Sequence, residues 1–96
     1  MLDQEAATEL QLFIENDNHI YMSRFIPVMK NLQRKVKKGT YAHSKAPKLW
    51  RYLVDAAAKS YDKKDTSWYN TFNTTTRQHV AQSLADEYRI AVEDIY

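Results

Sequence analysis

The chain has no cysteine among its 96 residues. That excludes disulfides, thiol catalysis and thiolate metal sites, and fits a reducing compartment. Glycine occurs once, at Gly39, and proline twice, at Pro27 and Pro47. A phosphate-binding loop and a dinucleotide fingerprint each spend several glycines on close backbone approach, so neither can be built here. Strand-rich folds spend such residues on turns; a chain this poor in breakers is expected to be helical. No apolar run approaches the ~18 residues that a membrane-spanning helix requires, so no membrane association is expected. The first twenty residues are acidic and lack a basic segment followed by an apolar one, so no secretory signal is expected either.

What the chain does contain is charge, unevenly placed. Residues 30–64 hold eleven of the fourteen Lys and Arg residues against two acids, Asp55 and Asp62, a net of +9. The remainder holds three bases against ten acids, a net of −7. The overall charge of +2 conceals this dipole. A positive surface fitted to an acidic partner is the expectation. Three Phe, two Trp and seven Tyr supply ample material for a core. The length suits one domain over residues 1–96, with residues 1–8 expected to fray.

Hydrophobic spacing predicts the helices. In residues 5–15, Ala6, Leu10, Phe13 and Ile14 share a helical face, while Leu10, Leu12 and Ile14 alternate as a strand would. Without a second strand to pair with, helix is favoured. The polar run Asn16-Asp17-Asn18 supplies a cap for a second helix over 19–38. Its apolar stripe is Phe25, Val28, Met29, Leu32 and Val36. Lys30, Arg34, Lys37 and Lys38 fall on the opposite stripe at about 100° per residue. Pro27 is expected to kink or break this helix near residues 23–26, and Gly39 to end it in a left-handed cap.

Ser44 is placed as the cap of a third helix with Pro47 in its first turn. Leu49, Trp50, Leu53, Val54, Ala57 and Tyr61 give its core face. Arg51, Asp55 and Lys59 form an exposed ladder, and Lys63-Lys64 sit where the helix dipole favours cations. A short turn is expected over 68–72, capped by Thr66 or Ser67. Asn73 then caps a last helix reaching residue 94, with Val80, Ala81, Leu84, Ala85, Tyr88, Ala91, Val92 and Ile95 buried. Asp86, Glu87, Glu93 and Asp94 make its outer side acidic. The expected fold class is therefore all-α: a compact small domain of three main helices plus one or two short ones.

Catalytic chemistry has little to stand on. His19, His43 and His79 lie in different elements without metal-ligand spacing, so no metal and no cofactor is expected. Ser44 and Ser60 lack the context of an activated nucleophile. Asp86-Glu87 and Glu93-Asp94 are adjacent pairs that point about 100° apart on a helix and cannot converge as paired acids. The Asn73-Thr74-Thr75 sequon carries no weight without a secretory route. The protein is expected not to be an enzyme.

The basic third is the sharper candidate. Lys30, Arg34, Lys37, Lys38, Lys45 and Lys48 form the candidate partner face, with Tyr41, Trp50, Tyr52 and Tyr61 interleaved. Nucleic acid binding uses such cations and aromatics; a solvated face around a core Trp50 and Tyr61 is the plainer reading. A helix-turn-helix is disfavoured because the 39–43 connection is long. The start of the third helix also lacks Asn, Gln or Arg to read bases. Any nucleic acid contact should then be to phosphates, with little sequence preference. A protein partner, or self-association through the acidic last helix, is the leading expectation.

Residues 12–21 (LFIENDNHIY), 30–61 (KNLQRKVKKGTYAHSKAPKLWRYLVDAAAKSY) and 76–88 (TRQHVAQSLADEY) together resemble small helical proteins of tailed phages and of marine environmental sequences. In those an acidic END segment precedes a basic helix, and a Lys-Ala-x-Lys-Leu start, here Lys45-Ala46-Pro47-Lys48-Leu49, opens the next. The resemblance spans about residues 10–90. It implies an accessory gene product in the cytoplasm of a microbial or phage-infected cell. No activity is assigned to the group, so it transfers no site residue.

Overall fold

Over residues 2–64 and 72–94, which the computed structural model describes, every element is helical, and the all-α class read from the sequence is confirmed. Helix α1 (Gln4–Asn16) begins where the Asp3 carboxylate accepts the Ala6 amide at 3.0 Å. Ala6, Ala7, Leu10 and Ile14 are buried and Leu12 is exposed, so helical spacing prevails over strand alternation. Residues 3–8, expected to fray, are docked: the Asp3 amide also donates to the buried Thr76 hydroxyl at 3.2 Å, tying the start of α1 to the next-to-last helix.

The Asp17 carboxylate caps the second helix by accepting the Ile20 amide at 3.0 Å. Helix α2 (Asn18–Ile20) continues through a π-helical turn (Tyr21–Phe25) into α3 (Ile26–Lys38). Dihedrals at Ile20, Tyr21, Phe25 and Ile26 all remain right-handed helical. Pro27 therefore neither splits the helix nor ends it. The Ile26 amide reaches back five residues to the Tyr21 carbonyl. The wider turn lies where a proline ring would otherwise crowd the preceding turn.

Gly39 closes α3 at φ +74°, with its amide on the Val36 carbonyl at 3.1 Å and the Thr40 amide on the Lys35 carbonyl at 2.9 Å. This is the expected left-handed cap, satisfying two end carbonyls. Ala42 is extended, and a 3-10 turn (His43–Lys45) leads into α4 (Ala46–Lys64). Ser44 is thus inside a helical turn and not the cap. The chain coils two residues earlier than its side chain suggested, after Ala42. Trp50, Leu53, Val54, Ala57 and Ala58 of α4 are buried, with Leu49 and Tyr61 packed at the margin. Of the ladder, Arg51 Nε bonds Asp55 Oδ1 at 2.9 Å, and Asp55 is shared with Arg77 Nη1 at 3.3 Å.

Asn73 caps α5 (Thr74–Glu87), its side chain accepting the Thr76 amide at 2.8 Å. The expected single last helix is in fact two. Tyr88, at φ −97° and ψ 10°, separates α5 from α6 (Arg89–Glu93). The break falls on a residue held from two sides. Its ring packs on Phe25 and Trp50, with centroids at 4.8 and 5.8 Å, and its hydroxyl donates to Glu15 Oε2 at 2.6 Å. With the break, Val92 is buried but Ala91, expected in the core, is exposed. The expected turn at 68–72 (apart from the buried Phe72), the Lys63-Lys64 side chains and Ile95 lie outside the described residues.

Helix α4 packs along α5, α1 lies against both, and α3 rests on α6 and crosses α4. The core joins these layers through Phe25, Trp50, Leu53, Leu84 and Val92. Among the described residues no helix is long and apolar enough to cross a membrane. Burial, and then the bond to Glu15, keep the Tyr88 hydroxyl protonated well above the ordinary tyrosine range. Tyr88→Phe keeps the ring packing and removes only the donor. It should cost about 1–2 kcal/mol, measured as a lower Tm in calorimetry; an unchanged Tm would mean that the bond to Glu15 adds nothing net.

Candidate functional site

From residue 30 to residue 54 the chain carries Lys30, Arg34, Lys35, Lys37, Lys38, Lys45, Lys48 and Arg51 and no acid. The cap at Gly39 folds this stretch into a corner, with the end of α3 facing the start of α4. All the lysines of the stretch and Arg34 are exposed. Among the described residues none of these seven side chains forms an ion pair, whereas Arg51, Arg77 and Arg89 each do. Most of the unpaired positive charge among the described residues therefore lies on α3 and the start of α4, with Arg24 and Lys59 apart from it.

The corner holds a recess of about 210 Å³. Leu32, Ala46 and Leu49 give it an apolar floor; Lys35, Lys45 and Lys48 stand at its rim, with Thr40 and Tyr41 between them. Two of the sequence candidates, Lys45 and Lys48, meet here. Lys30, Arg34, Lys37 and Lys38 lie on the outer face of α3 and do not line it. Lys35 was missed as a site residue. The signal was present: it follows Leu32 by three positions and so shares that flank of the helix.

Tyr41 leads from the recess to the acidic end of α5. Its hydroxyl lies 3.1 Å from His43 Nδ1, and His43 Nε2 lies 2.9 Å from Asp86 Oδ1. An ionised Asp86 only accepts, so Nε2 carries the proton and, in the neutral ring, Nδ1 accepts from the Tyr41 hydroxyl. His43 thus latches the α3–α4 connection to α5 across 43 positions of sequence. No sequence spacing could reveal that contact. Burial, then the Glu93 charge, push the Tyr41 hydroxyl above its ordinary range, so it stays a neutral donor. Hydrogen bonds from His43 and then Gln82 hold the Asp86 carboxyl below its ordinary range.

On the other side of Lys48 lies a more polar recess of about 400 Å³, lined by Ser44, Pro47, Lys48, Arg51, Tyr52, Asp55, Gln78 and Gln82. Of the four interleaved aromatics, Trp50 is core, Tyr41 and Tyr61 are half-buried, and only Tyr52 stands free, 68% exposed. Lys48, Arg51 and Tyr52 follow at i, i+3 and i+4 and so share one helix face. Among the described residues no group of three His, Asp or Glu side chains is placed to hold a metal ion.

Comparison with family models, curated proteins and solved structures finds no significant match to this chain.

Two outcomes test the corner itself. A Cβ at Gly39 would meet no atom within 4 Å, so Gly39→Ala isolates the backbone cost of the left-handed cap. That cost should be about 1–2 kcal/mol, read as a Tm lower by roughly 4–15 °C. Asp86 is more acidic in the fold than its ordinary value of 3.8, so its ionised form favours the folded state. The stabilisation is full above that value and is lost as pH falls through the lowered one. The Tm advantage of wild type over Asp86→Ala should persist at neutral pH and vanish in acid; an advantage independent of pH would refute the latch.

Proposed function

We propose that this protein is a non-enzymatic accessory protein that docks its basic α3–α4 corner onto an acidic partner. The observation that carries the reading is the recess itself: three unpaired lysines surround an apolar floor. Unpaired cations on a rim steer and orient an acidic surface, while a small apolar pocket takes an anchoring side chain. Lys30, Arg34, Lys37 and Lys38 on the outer face of α3 extend the same positive field. Tyr41, His43 and Asp86 are bonded to one another and so hold the α3–α4 connection to α5, which supports a binding role for the corner they brace. The resemblance to small phage and marine proteins supports an accessory role in a microbial or phage-infected cell.

A second reading, a weakly sequence-specific nucleic acid module, is favoured by Tyr52. An exposed ring beside Lys48 and Arg51 is the arrangement on which an unpaired base stacks while cations hold the phosphates. Gln78 and Gln82 across the recess supply donors and acceptors for a base edge.

Fluorescence anisotropy at several salt concentrations separates the two, using a labelled peptide of alternating Glu and Leu and a labelled random-sequence DNA duplex. Docking of an acidic protein surface predicts peptide binding with modest salt dependence, weakened at least about tenfold by Lys45→Glu/Lys48→Glu. A phosphate binder with about five contacts would lose DNA affinity with a log–log salt slope of roughly −4 to −5, and would weaken in Tyr52→Ala. Failure to bind either probe at low salt would overturn both.

A further inference from the structure

The most exposed large apolar side chain among the described residues is Ile90, at 77%. It stands on α6 in an acidic stretch of the chain: Asp86, Glu87, Glu93 and Asp94 against the single base Arg89. The stretch therefore carries a net charge of −3 around one projecting isoleucine. The recess at the α3–α4 corner carries three lysines around an apolar floor. One is a knob in acidic surroundings, the other a hole with a positive rim; they are opposite in sign and each has an apolar centre. A single exposed apolar residue is ordinary on a surface; an isoleucine with a complementary hole on the same molecule is not.

The placement of the two features also suits closure. Tyr41 lines the recess, and its hydroxyl connects through His43 to Asp86, four residues before Ile90. Gln33 of α3 donates to the Ala91 carbonyl at 3.3 Å, so α6 lies along the helix that forms one wall of the recess. Recess and α6 are thus linked through these contacts on one side of the molecule. Two copies related by a two-fold axis near Tyr41 would each insert Ile90 into the other, the reciprocal arrangement a closed dimer needs. We propose that the acidic partner of the corner is a second copy of this chain, and that Ile90 is the anchor of a symmetric dimer. This rests on the docking role argued above and names its partner.

Sedimentation velocity from micromolar to millimolar protein tests it. The expected result is a reversible dimer that Ile90→Glu weakens at least about tenfold, with unchanged circular dichroism because the side chain is exposed. Charge reversal gives a stricter test. Lys45→Glu/Lys48→Glu places an acidic hole opposite an acidic knob, and Glu93→Lys/Asp94→Lys places a basic knob opposite a basic hole. Each variant alone should be monomeric, and an equimolar mixture should restore the dimer, since both cross-contacts then pair opposite charges. A wild type that stays monomeric throughout, an Ile90→Glu protein that dimerises as wild type does, or a mixture that stays monomeric would each overturn the proposal. If such a protein still bound the acidic peptide through Lys45 and Lys48, the docking role would stand and only the identity of the partner would fall.

Discussion

The packing of Phe25 against Trp50 and Tyr88 is the contact on which the rest of this fold depends. It joins three segments that are distant in sequence: the π-helical turn, helix α4 and the junction between α5 and α6. Centroid separations of 4.8 to 5.8 Å within the trio, and 5.0 Å from Phe25 to Tyr21, are those of favourable offset and edge-to-face pairs. The π turn ends at Phe25, two residues before Pro27. Helix α5 stops at Tyr88, whose hydroxyl is drawn to Glu15. Two local departures from regular helix therefore meet at one aromatic cluster. Irregular backbone is tolerated where packing over-determines it.

From that cluster follows the position of the positive corner. With α3 fixed against α4 and α6, its outer stripe pairs with no acid among the described residues, and Gly39 turns the chain so that Lys45 and Lys48 come beside Lys35. The acids of the last two helices are not spread evenly over these cations. Asp86 is taken by His43 and Gln82, Glu87 by Gln11, and Glu93 by Arg89. The basic corner and the acidic end consequently remain separate fields on one small body. Such a body loses little by self-repulsion at a net charge of +2, yet it presents strong local potentials to a partner.

Helical phase located most of this in advance. The stripes of α3, the core face of α4, the caps at Asp17 and Asn73 and the left-handed Gly39 all follow from spacing and from residue types with narrow local roles. The departures are equally physical. Ser44 resembled a cap because its side chain can cap, but Ala42 is the last extended residue and coiling begins at His43. Ala91 was placed in the core by extrapolating one helix through Tyr88; the interruption removed it. Lys35 was overlooked because the face was drawn at its centre, while a recess forms at a flank.

The sequence by itself determined that the chain is helical, where most helices start and stop, and that its charge is split between a basic middle and acidic ends. Those properties are local: periods of 3.6 residues, side-chain caps and the backbone freedom of one glycine. Tertiary structure alone decided that Pro27 is absorbed in a π turn, that His43 latches to Asp86, and that Lys35, Lys45 and Lys48 surround an apolar recess. Each of these depends on which distant segments share the aromatic cluster. Long-range packing selects among arrangements that local propensity leaves equal in energy.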